Sequence, residues 1–109
     1  MSLYSEYLTE RTDTQIIEIP QGFLTYKFHQ DNTCYIEDLY VKPEFRRSHV
    51  ASQMADQVCK LARAKGCTKL TGSVVPSAKN STASMLVLIA YGMKVSRSMN
   101  DFIIFEKEI

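Results

Sequence analysis

The sequence of 109 residues has no long apolar run and almost no net charge. Its longest apolar stretch, residues 85–91, is far shorter than the roughly 20 residues of a membrane-spanning helix. Thirteen lysines and arginines nearly balance twelve aspartates and glutamates, which leaves a net charge of +1. Because no global field then attracts nucleic acid or an anionic lipid surface, we expect neither as a partner, and any anion site must be local.

Cysteine and histidine are too few and too scattered to indicate a metal centre. Cys34, Cys59 and Cys67 include no Cys-x-x-Cys pair, and together with His29 and His49 they give no zinc spacing. Three thiols without a pairing pattern are typical of a reducing compartment, and the N-terminus has no signal-peptide pattern. We therefore expect a cytoplasmic protein without a metal, in which the cysteines are small buried apolar side chains.

The strand pattern predicts a single α/β (α+β) domain over residues 1–109. This length can bury a real core but is too short for two domains. β-branched runs and turn residues predict strands at residues 15–19, 23–28, 33–41, 67–75, 94–99 and 102–107. Helices between strands favour at least one parallel pairing, so we expect a mixed, mostly antiparallel sheet flanked by helices.

Apolar periodicity predicts the helices. Residues 48–65 form an amphipathic pattern, with Ser48 as a candidate N-cap and Gly66 at the place of a left-handed C-terminal cap. Residues 80–91 are apolar almost all round and should be well buried. The polar segment 1–14 is expected to form one short helix, whose apolar contacts would be Leu3, Tyr7 and Leu8.

The most informative segment is residues 40–52, where the third strand runs through a turn with two arginines into a helix. A helix start presents unpaired backbone N–H groups at the positive end of the helix dipole, and such a terminus binds phosphate groups readily. Arg46 and Arg47 add positive charge beside it. The alternative for these two arginines is a solvated surface pair.

This turn resembles the acyl-CoA pyrophosphate loop of the GNAT superfamily of N-acetyltransferases, Arg/Gln-x-x-Gly-x-Gly/Ala. The corresponding segment here is Arg46-Arg47-Ser48-His49-Val50-Ala51. Its first residue, Arg46, and its last, Ala51, match the pattern, whereas His49 replaces the central glycine. Residues 36–43 resemble the central strand of that family and the turn after it. Gly66-Cys67 resembles the entry to its fifth strand, and Asn80 through Gly92-Met93 resembles its second conserved helix. The resemblance implies a GNAT-like fold.

The same resemblance implies acetyl-CoA as the acyl donor. Backbone exposed by a bulge in the central strand would pair with the pantetheine arm, and Ile36 and Leu39 are out of phase in the manner of a bulge. A backbone N–H near residues 39–41 would stabilise the thioester oxyanion. The implied donor-binding residues are Leu39, Tyr40, Val41, Arg46, Arg47, Ser48, His49, Val50, Ala51, Ser52 and Asn80. Ser48 and Asn80 have the alternative of helix caps, and Ser52 that of a solvent-facing side chain.

For catalysis the preferred base is Glu37, acting through water, with Asp38 as the second choice. Both could instead be charges at the rim of a strand end. The family's thiolate-protonating tyrosine would fall at Val87 or Leu88, which cannot donate a proton, so Tyr91 is the nearest candidate acid.

The sequence thus predicts an acetyltransferase that moves an acetyl group from acetyl-CoA directly to a small-molecule or peptide amine. Its rivals are a catalytically inactive binding or regulatory module of the same fold, and a purely structural interaction domain. The polar segment 1–14 has too little apolar surface to cover the side of the domain where the amine acceptor would bind. We therefore expect a second copy of the chain to cover it in a homodimer. The apolar residues 102–105 are its expected contact.

Overall fold

The computed structural model describes residues 2–77, 81–99 and 101–109. Nine regular elements follow each other along these residues. They are α1 (Leu3–Arg11), β1 (Gln15–Ile19), β2 (Gly22–Phe28), β3 (Thr33–Val41), α2 (Val50–Ala64), β4 (Lys69–Val74), α3 (Ser81–Ala90), β5 (Lys94–Met99) and β6 (Phe102–Glu108). A 3-10 turn, Pro43–Phe45, precedes α2. The expected element order is confirmed.

The strands form one six-stranded sheet in the order β1-β2-β3-β4-β6-β5. Four of the five pairings are antiparallel, and only β3 and β4 run parallel, joined by the crossover helix α2. The parallel ladder is short: it begins at Thr33 opposite Lys69 and ends at Ile36 opposite Gly72. The mixed, mostly antiparallel sheet expected from the sequence is therefore present.

Helix α2 covers the core face of the sheet with one apolar side. The buried side chains are those of Val50, Met54, Ala55, Val58, Cys59 and Ala62. Gly66 has φ +86° and lies just past its end, where the N–H groups of Cys67 and Gly66 donate to the carbonyls of Ala62 and Arg63. This pair of hydrogen bonds defines a Schellman cap, so the predicted role of Gly66 is confirmed.

The N-terminal cap of α2 differs from the prediction. The residue before the helix is His49, with φ 65° and ψ 13°, and its side chain makes no cap hydrogen bond. The Ser48 hydroxyl donates to the carbonyl of Phe45 and so closes the preceding turn. The reason is the left-handed conformation of His49, which delays the helix by one residue and turns Ser48 away from the first N–H groups.

Helix α3 is less buried than its composition predicts. Met85, Leu88 and Tyr91 pack against the core, whereas Leu86 and Ile89 are 58% and 49% exposed. A helix lying on one sheet face presents only one side to it, and residues three apart lie on that side. Among the described residues nothing covers the opposite side.

Helix α1 is anchored by polar rather than apolar contacts. Leu3 and Tyr7 are exposed, and the buried residue is Ser5. The hydroxyls of Ser5 and Ser2 donate to the Glu18 carboxylate on β1, and these hydrogen bonds lower the pKa of Glu18. The predicted apolar contacts of Leu3 and Tyr7 are therefore wrong, because both side chains are exposed, whereas the third predicted contact, Leu8, is partly buried.

The core lies between the sheet and the helices α2 and α3. It contains the three cysteines, all free and buried as expected, together with Leu24, Leu70 and Phe105. Residues 102–105 of β6 are all at least partly buried within a single chain. No helix in the described part of the chain is long and apolar enough to cross a membrane.

We predict that Gly22→Ala destabilises the fold by about 1–3 kcal/mol through overpacking. A β-carbon at Gly22 would lie 2.1 Å from the carbonyl oxygen of Tyr40, so the β2–β3 hairpin must shift to admit it. Chemical denaturation measures the loss. The control is Gly72→Ala, whose β-carbon would meet the nearest atom, on Leu88, at 3.5 Å and should cost less. Equal stability of the two variants would contradict the prediction.

Candidate active site

The sheet opens where β3 and β4 stop pairing, one residue before a bulge in β3. Thr25 lies opposite Asp38 and Tyr26 lies opposite Ile36, so Glu37 is an extra residue on β3. The bulge expected from the phase of Ile36 and Leu39 is therefore confirmed. The extra residue shifts the in-and-out alternation of the β3 side chains by one position. Leu39 therefore points to the same face as Ile36 and packs against the core.

Beyond the bulge, two backbone N–H groups of β3 face the gap left by β4. The Lys42 N–H donates to Gln21 at 2.8 Å and the Asp38 N–H donates to the Thr25 hydroxyl at 3.0 Å, so both point towards β2. Because successive residues of a strand point to opposite sides, the N–H groups of Leu39 and Val41 point towards the gap. The Tyr40 N–H faces β2, like those of Lys42 and Asp38. The sequence had predicted that the backbone of Tyr40, together with Leu39 and Val41, would contact the donor.

On the helix side of the sheet, this gap opens into a narrow cavity of about 50 Å³. Its lining is apolar and joins three elements: the splayed end of β3, the first turns of α2 and the end of α3. The lining residues are Leu24, Ile36, Leu39, Ala51, Ser52, Ala55, Val87, Leu88, Tyr91 and Met93. Since Ala51 and Ser52 belong to the first turn of α2, the cavity connects the open strand to the start of that helix.

The turn before α2 is exposed throughout residues 42–49. The Arg46 guanidinium lies with its carbon 5.7 Å from the Tyr40 ring centroid, and its Nε donates to the Val41 carbonyl at 2.9 Å. Arg47 and His49 both have positive φ, 67° and 65°. Turns that contain left-handed residues are a common source of backbone concavities that bind anions.

The helix start supplies unpaired donors at this turn. The first intrahelical bond of α2 is donated by Gln53 to the His49 carbonyl at 3.0 Å. The N–H groups of Val50, Ala51 and Ser52 therefore have no partner within the helix, and they lie at the positive end of its dipole. The two arginines precede this helix start in the chain, and Ala51 and Ser52 of its first turn line the narrow cavity.

A second, larger cavity of about 310 Å³ opens on the opposite face of the sheet. It is lined by Lys27, His29, Tyr35, Glu37, Ser73, Phe102 and Ile104. The Tyr35 hydroxyl and the Ser73 hydroxyl are 2.7 Å apart and bridge β3 to β4 where the strands begin to separate. Sequence analysis missed this cavity apart from Glu37, because its walls come from four strands with no local motif.

Glu37 is held inside this second cavity. Its Oε1 accepts a hydrogen bond from the Thr14 hydroxyl at 2.9 Å, and its Oε2 lies 3.8 Å from the Lys27 ammonium. Asp38 is exposed and does not line either cavity. Of the two predicted acidic residues, Glu37 therefore lines a cavity and Asp38 does not.

Tyr91 lines the narrow cavity, but its hydroxyl is engaged with α2. It donates to the Asp56 carboxylate at 2.6 Å and lies 3.3 Å from the Cys59 sulfur. Burial, followed by the hydrogen bonds to Asp56 and Cys59, raises the pKa of Tyr91 well above its usual value. The positions that the resemblance assigns to a tyrosine, Val87 and Leu88, line the same cavity without a hydroxyl.

Asn80 lies outside the described residues, so its predicted role stays a prediction. Within residues 2–77, 81–99 and 101–109, no group of three or more histidine, cysteine, aspartate or glutamate side chains is arranged to hold a metal ion.

Comparisons with known proteins agree on one family. The model of the acetyltransferase (GNAT) family matches residues 5–84. The chain is 34% identical over 53 residues to thialysine N-epsilon-acetyltransferase of Bos taurus, a match that covers 49% of this chain and 31% of that protein. The chain thus matches about a third of the length of this curated relative.

Solved structures share the fold. The PaiA N-acetyltransferase of Thermoplasma acidophilum, in complex with coenzyme A, superposes with a TM-score of 0.78 and 18% identity over 95% of this chain and 66% of that chain. An acetyltransferase of Bacillus subtilis in complex with CoA superposes with a TM-score of 0.72 and 9% identity over 95% and 83%. The fold expected from the sequence is therefore confirmed.

We predict that His49→Gly stabilises the protein by roughly 1 kcal/mol, because glycine adopts a φ of 65° without the steric cost that a side chain meets there. Thermal unfolding measures the gain. The control is His49→Ala, which removes the imidazole but keeps a β-carbon and should bring no such gain. If the alanine variant is stabilised as much as the glycine variant, backbone strain is not the cause.

Proposed function

The chain belongs to the acetyltransferase (GNAT) family, and we propose that it transfers an acetyl group from acetyl-CoA directly to a primary amine. One observation carries this proposal. The two cavities lie on opposite faces of the sheet at the gap between β3 and β4. The narrow cavity reaches the first turn of α2, whose free N–H groups can bind phosphate, and the larger cavity is lined by Glu37. A donor and an acceptor can then meet across the gap in a single ternary complex.

The donor is proposed to bind along the helix side of the sheet. Its pyrophosphate would accept hydrogen bonds from the N–H groups of residues 50–52, beside the positive charges of Arg46 and Arg47. Its pantetheine arm would follow the apolar cavity and pair with the open backbone of Leu39 and Val41. Coenzyme A in the Thermoplasma acidophilum and Bacillus subtilis structures supports this choice of donor.

The Leu39 N–H is the proposed oxyanion donor. It points into the gap immediately after the bulge, where a thioester carbonyl at the end of the pantetheine arm would lie. Negative charge develops on that oxygen as the amine adds, and a preorganised backbone N–H stabilises it without reorganisation.

Glu37 is the proposed base. The amine acceptor enters as an ammonium ion and must lose a proton before it can attack. Glu37 lies in the larger cavity and is oriented by Thr14, so it can take that proton directly or through one water. The exposure of Asp38 supports Glu37 over its neighbour.

The departing thiolate is proposed to leave without a proton from the protein. A tyrosine whose pKa is raised is a poorer acid, and the Tyr91 proton already lies in a hydrogen bond to Asp56. Thiols are fairly acidic, so a thiolate is an adequate leaving group in water. The predicted acid role of Tyr91 therefore has little support in the geometry, and we assign its hydroxyl to holding α3 against α2.

The acceptor is proposed to be a small or peptide-borne primary amine. The Bos taurus relative is named for acetylation at an N-epsilon amine, which supports an amine on a flexible chain. The cavity of about 310 Å³ is wide enough for such a chain and presents the Glu37 carboxylate to a cation. A homodimer that covers this face and a cytoplasmic location stay predictions.

Donor binding is tested by Arg46→Ala/Arg47→Ala. Losing both charges should weaken acetyl-CoA binding by about 2–4 kcal/mol, if each charge-assisted hydrogen bond contributes about 1.5–3 and the losses overlap. Titration calorimetry measures the affinity. The matched control is Arg63→Ala/Arg97→Ala, which removes the same charge from exposed positions outside the turn and both cavities. Unchanged affinity in the first variant would remove this turn from the donor site.

Catalysis is tested by Glu37→Gln in a thiol-release assay with a panel of primary amines. The amide can still accept the Thr14 hydrogen bond but cannot take a proton, so kcat should fall roughly 100-fold or more. Asp38→Asn is the control and should leave kcat close to wild type. The reverse pattern would assign the base to Asp38. Donor binding without turnover by the wild type with any amine would favour the inactive binding module.

A further inference from the structure

The larger cavity already contains a primary amine that belongs to the protein. Lys27 lies on β2, and its Nζ is 3.8 Å from the Glu37 Oε2. Both side chains line the cavity and both are partly exposed, 37% for Lys27 and 28% for Glu37. A surface ion pair of this kind contributes little to stability, so it is not needed to hold the hairpin together.

We propose that Lys27 is an acceptor for the chain's own reaction and becomes Nε-acetylated from bound acetyl-CoA. This inference rests on the proposed function. An acceptor amine must approach within hydrogen-bonding reach of the base, directly or through one water. The Lys27 Nζ forms an ion pair with Glu37 at 3.8 Å, slightly longer than a hydrogen bond, so a small rotation of either flexible side chain brings the amine to the position proposed for a free acceptor.

The anchoring of Lys27 favours an intramolecular reaction. Lys27 lies opposite Tyr35 in the β2–β3 ladder, next to the pair Tyr26 and Ile36 that borders the bulge. Its backbone is therefore fixed by strand pairing, and only its flexible side chain has to move towards the gap. A tethered nucleophile of this kind has a high effective concentration compared with a free amine.

The step balances as an ordinary aminolysis. The Lys27 ammonium gives one proton to the Glu37 carboxylate, and the neutral amine adds to the thioester carbonyl carbon. The carbon–sulfur bond then breaks and the thiolate leaves. It takes up the second proton of the amine nitrogen through water. The products are an Nε-acetyl-lysine, free coenzyme A thiol and one proton, which Glu37 returns to the solvent.

Acetylation would change the acceptor cavity. The amide that forms at Lys27 has no charge and no longer pairs with the Glu37 carboxylate. Glu37 would then be free to attract a cationic amine from solution. Because the amide nitrogen is no longer a nucleophile, the modification is expected to occur once per chain.

The test is incubation of the purified full chain with acetyl-CoA alone, followed by peptide mass spectrometry over time. Lys69 is an internal control: its Nζ lies 3.7 Å from Glu106, its side chain is 46% exposed, and it lines neither cavity. Non-enzymatic acetylation by the thioester would modify Lys69 at least as fast as Lys27. We expect Lys27 to be modified at least tenfold faster, at a rate independent of protein concentration.

Two variants make the outcome decisive. Lys27→Arg keeps the positive charge but removes the nucleophile, and it should abolish the thiol release that the proposal predicts without added amine. Glu37→Gln should slow modification of Lys27 roughly 100-fold while leaving Lys69 unchanged. Equal labelling of Lys27 and Lys69, or labelling of Lys27 that survives Glu37→Gln at the same rate, overturns the proposal.

The thiol-release assay with soluble amines separates this proposal from the proposed function. Turnover of soluble amines with an unmodified Lys27 would overturn the acetylation of Lys27 alone. Absence of both reactions would overturn the acetyltransferase function as well.

Discussion

The separation of β3 from β4 after Ile36 and Gly72 is the constraint on which the rest of the molecule depends. A continuous parallel ladder would bury every backbone N–H of β3 in sheet hydrogen bonds and leave no opening. The extra residue at Glu37 ends that ladder, turns the N–H groups of Leu39 and Val41 into the gap, and sends the Glu37 side chain to the opposite face. A single bulge therefore accounts for both the unpaired backbone of β3 and the position of the candidate base.

In the described part of the chain, hydrogen bonds rather than close ion pairs join the elements around the gap. On the helix face, α2 and α3 are joined by the hydrogen bond from Tyr91 to Asp56, and both helices end in glycine caps at Gly66 and Gly92. On the other face, the hydroxyls of Tyr35 and Ser73 bridge the two strands just before they part. The gap is thus fixed by neutral and charge-assisted hydrogen bonds at its borders, while apolar packing supplies the core behind it.

The departures from the family pattern have local physical explanations. His49 adopts a left-handed conformation at the position where the family pattern has glycine, which fits the tolerance of histidine for positive φ. Leu88 lies at a position assigned to the family's tyrosine and closes the narrow cavity with an apolar side chain. In the proposed reaction, His49 changes the conformational cost of the turn and Leu88 offers the thiolate no hydroxyl, whereas the open backbone N–H groups and Glu37 stay in place.

The sequence by itself determined the order of the strands and helices, the bulge, the Gly66 cap and the arginine turn. Each of these depends on residues close together in the chain, through periodicity, φ preference or helix capping. Only the tertiary structure decided that Glu37 rather than Asp38 faces a cavity, that Lys27 lies beside it, and that Leu86 and Ile89 are exposed. These facts depend on strand register and on which element covers which face, because such contacts join residues far apart in sequence.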